Sequence, residues 1–273
     1  MHMTEAQLRA YTDEGFLFLP KCFSQVEVDT VKAELPAIFA EDSPRRVLEK
    51  ESNIVRSVYG SHTTNEVARR LSHHGRIVEP AMQILGGKVY IYQFKINVKA
   101  AFGGDVWEWH QDYIFWRNED GMPTSRVVNA VIFLDEVNEF NGPLIFIPSS
   151  HKEDVIDIIA QDTFPSAYQN SPAWISNVTA SLKYSLDKGV VATLVKKYGL
   201  IAPKGPAGSV LFFHGNLVHG SAANISPFDR NLVIVTFNHV ENAPIAVKEP
   251  RPEFLASRDS TPVEPLVDSV LVS

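Results

Sequence analysis

Two short clusters of residues lie about a hundred positions apart, and only a fold that brings them to one point gives either a use. The first is Trp107-Glu-Trp-His110-Gln-Asp112; the second is His219-Gly-Ser221, followed by Arg230. Side chains two residues apart on a β-strand project from the same face, so His110 and Asp112 can reach one metal ion. His219, from a distant strand, completes a set of two histidines and one carboxylate. That set occupies one side of a metal and leaves the opposite positions open, the arrangement that non-haem Fe(II) oxygenases use to admit a cosubstrate and dioxygen.

An isolated His-x-Asp is more often a polar pair at a strand end than a ligand pair. The second cluster changes that balance. Here an apolar strand, Ser209 to His214, runs into a loop holding His219, and a second apolar strand starts at Arg230. If these two strands pair as neighbours, the Arg230 guanidinium lies close to the metal ligand. Its planar fork of donors suits a carboxylate. A buried arginine needs an anion, and a dicarboxylate cosubstrate would supply one.

The rest of the chain reads as mainly β with flanking helices. Thr4 with Gln7, and Ser24 with Glu27, are capping-box signatures that start helices on either side of a short strand, Gly15 to Pro20. A polar stretch from Asn53 leads into a helix expected over Asn65 to Leu85. Strands are expected at Val89 to Val98, Trp107 to Asp112, Arg126 to Leu134, Gly142 to Ile147, Ser209 to His214 and Asn231 to His239. Strands this dense, punctuated by Gly and Pro, indicate an all-β core. Residues 153–200 break the rhythm, with helical pieces expected at Asp154 to Ile159 and Ala180 to Lys197 around Pro165 to Asn177. A long insertion between core strands reads as a lid.

Composition narrows the partners. A formal net charge of −7 without a basic stretch argues against nucleic acid and for a small molecule. The single cysteine, Cys22, rules out an intrachain disulfide framework and fits a reducing cytoplasm, where ferrous iron also survives better. Met1-His-Met3 is too short and polar to act as a targeting signal, and no apolar run approaches membrane-spanning length. One domain over 1–273 is the expected organisation. Nothing in the sequence specifies an oligomeric state.

With these residues in view, the chain resembles the phytanoyl-CoA dioxygenase superfamily of Fe(II)- and 2-oxoglutarate-dependent oxygenases. Gln93-Phe-Lys95-Ile-Asn97-Val-Lys99, Trp109-His110, Asp112, Trp116, Asn141-Gly-Pro-Leu144 and Ile147-Pro-Ser-Ser-His-Lys152 resemble ectoine hydroxylases. Tyr90 to Asn97, Phe102-Gly-Gly-Asp105, Glu139-Phe-Asn-Gly-Pro143, Asn224-Ile-Ser-Pro-Phe228 and Glu249-Pro-Arg-Pro-Glu253 are closer to bacterial free L-leucine hydroxylases. Ectoine hydroxylases carry Phe-Glu-Thr-Trp-His after the metal-binding Asp, where this chain reads Tyr113-Ile-Phe-Trp-Arg117.

The resemblance sharpens the fold to a double-stranded β-helix, a cupin-like jelly roll. It implies iron on His110, Asp112 and His219, and 2-oxoglutarate with its far carboxylate on Arg230, helped by Ser221, Asn97 and Lys95. Dioxygen would be consumed, and succinate, carbon dioxide and a hydroxylated product released. Trp107 and Trp116, next to the ligands in sequence, are candidate pocket walls. Tyr59, His62 and Gln93 are further candidates by resemblance, and Arg117 is a candidate partner for a substrate carboxylate. The implied substrate is a free aliphatic L-amino acid, leucine or a near relative, ahead of ectoine and of proline or pipecolate. A zinc hydrolase using the same three ligands, or a noncatalytic jelly-roll binding protein, is the alternative from another class. His73, His74, His151, His214 and His239 read as structural.

Overall fold

The expected capping boxes start two of the helices. Thr4 accepts from the Gln7 amide ahead of α1 (Glu5–Glu14), and Ser24 accepts from the Glu27 amide ahead of α2 (Gln25–Ala40). Gly15, in the left-handed region at φ 81°, ends α1 and turns the chain into β1 (Phe16–Leu19). The computed structural model describes residues 1–50, 52–156, 158, 171–267 and 271.

The stretch expected as one helix from 65 to 85 is two, α3 (Glu66–Ser72) and α4 (Gly75–Leu85). The break falls at His73 and His74, where the His74 side chain leaves the helical path to accept from the Arg76 amide at 3.2 Å. Before them lies a hairpin the sequence did not announce, β2 (Arg46–Leu48) with β3 (Val55–Tyr59). The remaining strands are β4 (Val89–Lys99), β5 (Trp107–His110), β6 (Val127–Phe133), β7 (Leu144–Phe146), β8 (Val210–His214), β9 (His219–Ser221) and β10 (Arg230–His239). Helix α5 (Asp112–Asp120) follows β5 directly, so the strand expected to reach Asp112 stops at His110.

Two antiparallel sheets result, one in the order β1-β8-β6-β10-β4-β3-β2 and the other β5-β9-β7, forming a jelly roll. The large sheet is covered on both faces, so β4, β6 and β10 are buried at nearly every position, polar residues such as Gln93, Asn97, Asn129 and Thr236 included. Its outer face carries Phe94, Ile96, Ala130, Phe212, Val233 and Val235 against residues of the four N-terminal helices such as Val31, Leu35, Leu71 and Val78. Its inner face carries Val131, Phe133, Phe213, Leu232 and Ile234, packed against Leu144 and Phe146 of the small sheet. The strands β8 and β10 are not neighbours, because β6 lies between them. Arg230 on β10 and His219 on β9 therefore belong to different sheets.

In the insertion, the expected helical pieces fare differently. Residues 154–156 and 158 are not helical, while 157 and 159, with 165–170, fall outside the described residues. The helix expected from Ala180 begins only at α6 (Lys188–Tyr198), with Asp187 as its cap. Leu182, Tyr184, Ser185 and Leu186 ahead of it are buried, with a turn at Lys183 and Tyr184. No helix among the described residues is long and apolar enough to cross a membrane.

Candidate active site

Two bulges aim the site. Strand β5 pairs with β9 so that Trp107 faces Ser221 and His110 faces His219, three steps on one strand against two on the other. The extra residue puts Trp107 and His110 on the same face despite their odd spacing. The imidazoles of His110 and His219 come within 4.2 Å, centre to centre. In β4 a shift occurs opposite Thr236 and Phe237, which pair with Gln93 and Ile91 and leave Tyr92 between them. Phe94 and Ile96 pack outward while Tyr90 and Tyr92 join the cluster around Trp116 and Tyr113, so the shift reverses the alternation of β4.

Asp112 reaches the histidines from the first turn of α5. Gln111 before it is extended, at φ −111° and ψ 135°, so the same-side geometry of His110 and Asp112 survives the end of the strand. A carboxylate at this helix start is also favoured by the helix dipole. The ligand atoms of His110, Asp112 and His219 all lie within 4.8 Å of one another, and all three residues are buried. His110 Nδ1 lies 2.6 Å from the Glu108 carbonyl, and His219 Nδ1 lies 2.9 Å from the Leu217 carbonyl. A carbonyl only accepts, so both rings carry the proton on Nδ1 and turn the Nε2 lone pair inward, as metal-binding imidazoles do. Burial, then the neighbouring His110, pushes the His219 pKa down to about 3, keeping that lone pair available. Burial disfavours the Asp112 anion, but Lys95 and the two histidines outweigh it and hold the carboxyl well below the usual carboxylate range. The donor set fits a divalent iron ion.

Behind the carboxylate, Asn129 Nδ2 donates to Asp112 Oδ2 at 2.9 Å, and Thr236 Oγ1 donates to Asn129 Oδ1 at 2.6 Å. This relay orients one carboxylate oxygen and leaves the other for the metal. Asn129→Leu is expected to weaken Fe(II) affinity by about 10–100-fold, the usual cost of losing an outer partner of a metal ligand. Anaerobic titration with Fe(II) measures it, and unchanged affinity would dismiss the relay.

Arg230 is fully buried. Its Nη1 is 3.4 Å from Asn97 Oδ1 and its Nη2 donates to the Gly142 carbonyl at 2.9 Å, while its Nε has no partner among the described residues. Burial pushes its pKa down to about 9. Ser221 Oγ is likewise buried and unpartnered. A guanidinium held by neutral acceptors, with donors to spare, fits the far carboxylate of 2-oxoglutarate. The two lysines considered along β4 differ in position. Lys95 lines the cavity beside the triad, whereas Lys99 stands opposite Arg230 in the register and donates to the Ala222 carbonyl at 2.8 Å.

The cavity beside the triad has a volume of about 30 Å³ and is lined by Tyr59, Gln93, Lys95, Trp107, Trp116 and the two ligands His110 and Asp112, together with residues that were not site candidates in the sequence. Those are Phe115, Asn177, Val178 and Arg251. Phe115, on α5, packs edge-on to His110. Arg251 comes from the proline-rich C-terminal segment and is held by Asp120, at 2.8 Å through Nε and 2.5 Å through Nη2. Gln93 Nε2 donates to the Leu255 carbonyl of the same segment at 2.6 Å. Two candidates lie elsewhere. Arg117 is half-buried beside Asn118 and is not among the lining residues, and His62 stacks on Phe94 on the outer face of the large sheet. The signal for Arg251 was available, because it sits in the Glu-Pro-Arg-Pro-Glu stretch shared with amino acid hydroxylases; nothing in the sequence tied that stretch to the pocket.

Comparison with known proteins adds three findings. The family described as phytanoyl-CoA dioxygenase matches residues 11–232. The L-proline trans-4-hydroxylase of Streptomyces griseoviridis is 39% identical over 264 residues, covering 97% of this chain and 96% of its own, and the ectoine dioxygenase of Nocardia farcinica is 37% identical over 269 residues, covering 94% and 86%. The crystal structure of EctD from S. alaskensis with 2-oxoglutarate and 5-hydroxyectoine superposes with a TM-score of 0.83 at 31% identity, covering 98% of this chain and 89% of that one.

Proposed function

This chain belongs to the phytanoyl-CoA dioxygenase family, and from that membership we propose that it hydroxylates an unactivated C–H bond of a small free amino or imino acid, with L-proline the first candidate. It is an iron- and 2-oxoglutarate-dependent dioxygenase. The observation that carries the reading is the pairing of a buried two-histidine, one-carboxylate cluster with the buried Arg230, whose hydrogen bonds among the described residues go to neutral acceptors. A zinc hydrolase has no use for such an arginine. His110, Asp112 and His219 would hold the iron, and Arg230 with Ser221 and Asn97 the far carboxylate of 2-oxoglutarate. The bound iron with its cosubstrate supplies the oxidant. The protein aims one C–H bond at it and keeps water out, with Trp107, Phe115 and Trp116 as walls.

The leucine reading of the sequence finds no support among the relatives, whose names point to proline and ectoine. Ectoine is the second reading, favoured by the superposition on the 5-hydroxyectoine complex. Phe115 favours the smaller ring: it stands against the cavity where the ectoine hydroxylase motif has Thr. The test supplies Fe(II) and 2-oxoglutarate with L-proline, pipecolate, L-leucine or ectoine. L-Proline is expected to gain one oxygen with equimolar succinate. Consumption of ectoine alone would move the assignment to the second reading, and reaction only of carrier-bound amino acids would end the free-amino-acid reading.

A further inference from the structure

Residues 171–187 run along the mouth of the cavity, and they are fastened there at several points. The Leu186 amide donates to the Trp109 carbonyl at 2.7 Å and the Leu182 amide to the Glu108 carboxylate at 2.9 Å. Lys183 and Tyr184 both donate to Glu119 on α5, at 2.7 and 2.6 Å. Arg56 on β3 holds the earlier part of the segment. It is fully buried, lies 3.8 Å above the centre of the Trp107 ring, and pairs with Glu49 at 3.0 Å. Its Nη2 donates to the Val106 carbonyl at 2.8 Å and its Nε to the Val178 carbonyl at 3.2 Å. One guanidinium thus ties the insertion to the strand that carries His110.

The residue next to Val178 is Asn177. It is only 7% exposed and lines the cavity beside the triad, yet both its Oδ1 and its Nδ2 are buried without a hydrogen-bond partner among the described residues. A buried carboxamide with neither bond made is costly, and such groups in native proteins usually have their partner in something that binds. Arg251, the nearby cation in the cavity wall, is already engaged by Asp120.

We propose that Asn177 reads the substrate, its Nδ2 donating to the carboxylate and its Oδ1 accepting from the nitrogen of a zwitterionic amino or imino acid, and that Arg56 is the positioning residue that holds it there. This rests on the reading of the substrate given above. A carboxamide suits a zwitterionic head because it offers donor and acceptor side by side without adding a charge. Residues 171–187 then act as more than a cover, since they supply a recognition group.

Asn177→Leu keeps the approximate size of the side chain and removes no hydrogen bond found among the described residues, so the fold has little reason to respond. Wild type, Asn177→Leu, Asn177→Asp and Arg56→Lys are compared for substrate KM and kcat, with L-proline as substrate, or ectoine if wild type prefers it, and for the cosubstrate KM. Calorimetric titration of the same substrate into anaerobic protein with Fe(II) and 2-oxoglutarate gives a readout independent of turnover. Asn177→Leu is expected to raise substrate KM and Kd by about tenfold or more, the loss of one or two hydrogen bonds, with the cosubstrate KM changed less than about twofold. Asn177→Asp, which sets an anion against the carboxylate, should lose more. Arg56→Lys keeps a charge for Glu49 but not the fork, and should raise substrate KM while sparing the cosubstrate value. Unchanged substrate KM and Kd in Asn177→Leu, or equal losses for substrate and cosubstrate, overturn the role of Asn177 while wild-type turnover preserves the reaction. A wild type that binds and hydroxylates neither compound overturns the substrate reading, and the role of Asn177 with it.

Discussion

Asp112→Ala is expected to cut succinate formation by at least about 10³-fold, as when one member of a catalytic unit is removed, while the protein stays folded. Asp112 is the only anion among the three residues that would hold the iron, and without it two neutral imidazoles face a doubly charged ion. The cost to the fold should be modest. Asn129 Nδ2 loses its acceptor, which amounts to about 1–3 kcal/mol for one buried donor left unpaired. Succinate assays, together with circular dichroism and thermal melting, separate lost chemistry from lost structure. His110→Ala and His219→Ala should behave alike, and chelation of iron should reproduce all three in the wild type. Normal succinate production by folded Asp112→Ala protein would remove the metal assignment.

Arg230→Met should leave Fe(II) binding largely intact and raise the 2-oxoglutarate requirement strongly. Losing one partner of a buried charge pair costs about 2–5 kcal/mol, or roughly 30-fold at the lower end. Methionine fills much of the same volume without the charge, and it also relieves a guanidinium that burial already disfavours. The free protein should therefore be no less stable, although the Gly142 carbonyl loses a donor. Saturation curves for 2-oxoglutarate and direct Fe(II) titration measure the two effects separately. An unchanged 2-oxoglutarate dependence would place the carboxylate elsewhere. Lys99, opposite Arg230 in the register, is then a better candidate by position than Lys95, which lies beside the triad.

The metal ligands were legible in the sequence because identity and spacing carry their chemistry. His110 and Asp112 work at a separation of two even though the strand ends between them, since the backbone at Gln111 stays extended. The capping boxes at Thr4 and Ser24 were legible for the same reason, each being closed within four residues. The break between α3 and α4 was not, because a histidine cap competes only weakly with a continuous apolar pattern, and the packing of both helices on the large sheet decides it. Helix α5 was hidden as well, in a run of aromatic residues that by propensity alone suits a strand.

What the sequence determined by itself was the candidate reacting centre and the class of fold around it: two histidines and a carboxylate, His110, Asp112 and His219, that meet at one point as a set able to hold a metal ion, a buried arginine, and a β-rich scaffold to carry them. Which side chains share the cavity was decided only by the tertiary structure. The sequence points to Arg117, five residues past the aspartate ligand, as the pocket cation, yet Asp120 draws Arg251 into the wall while Arg117 turns toward Asn118. Tyr59 and His62 are three apart, but one faces the cavity and the other stacks on the outer side of the sheet. Asn177 and Arg56 carry no motif at all. The reason is physical: the face a side chain takes depends on strand register, and a single bulge reverses it, as in β4 and β5. Register is set by pairing with strands far away in the chain, which no local pattern records.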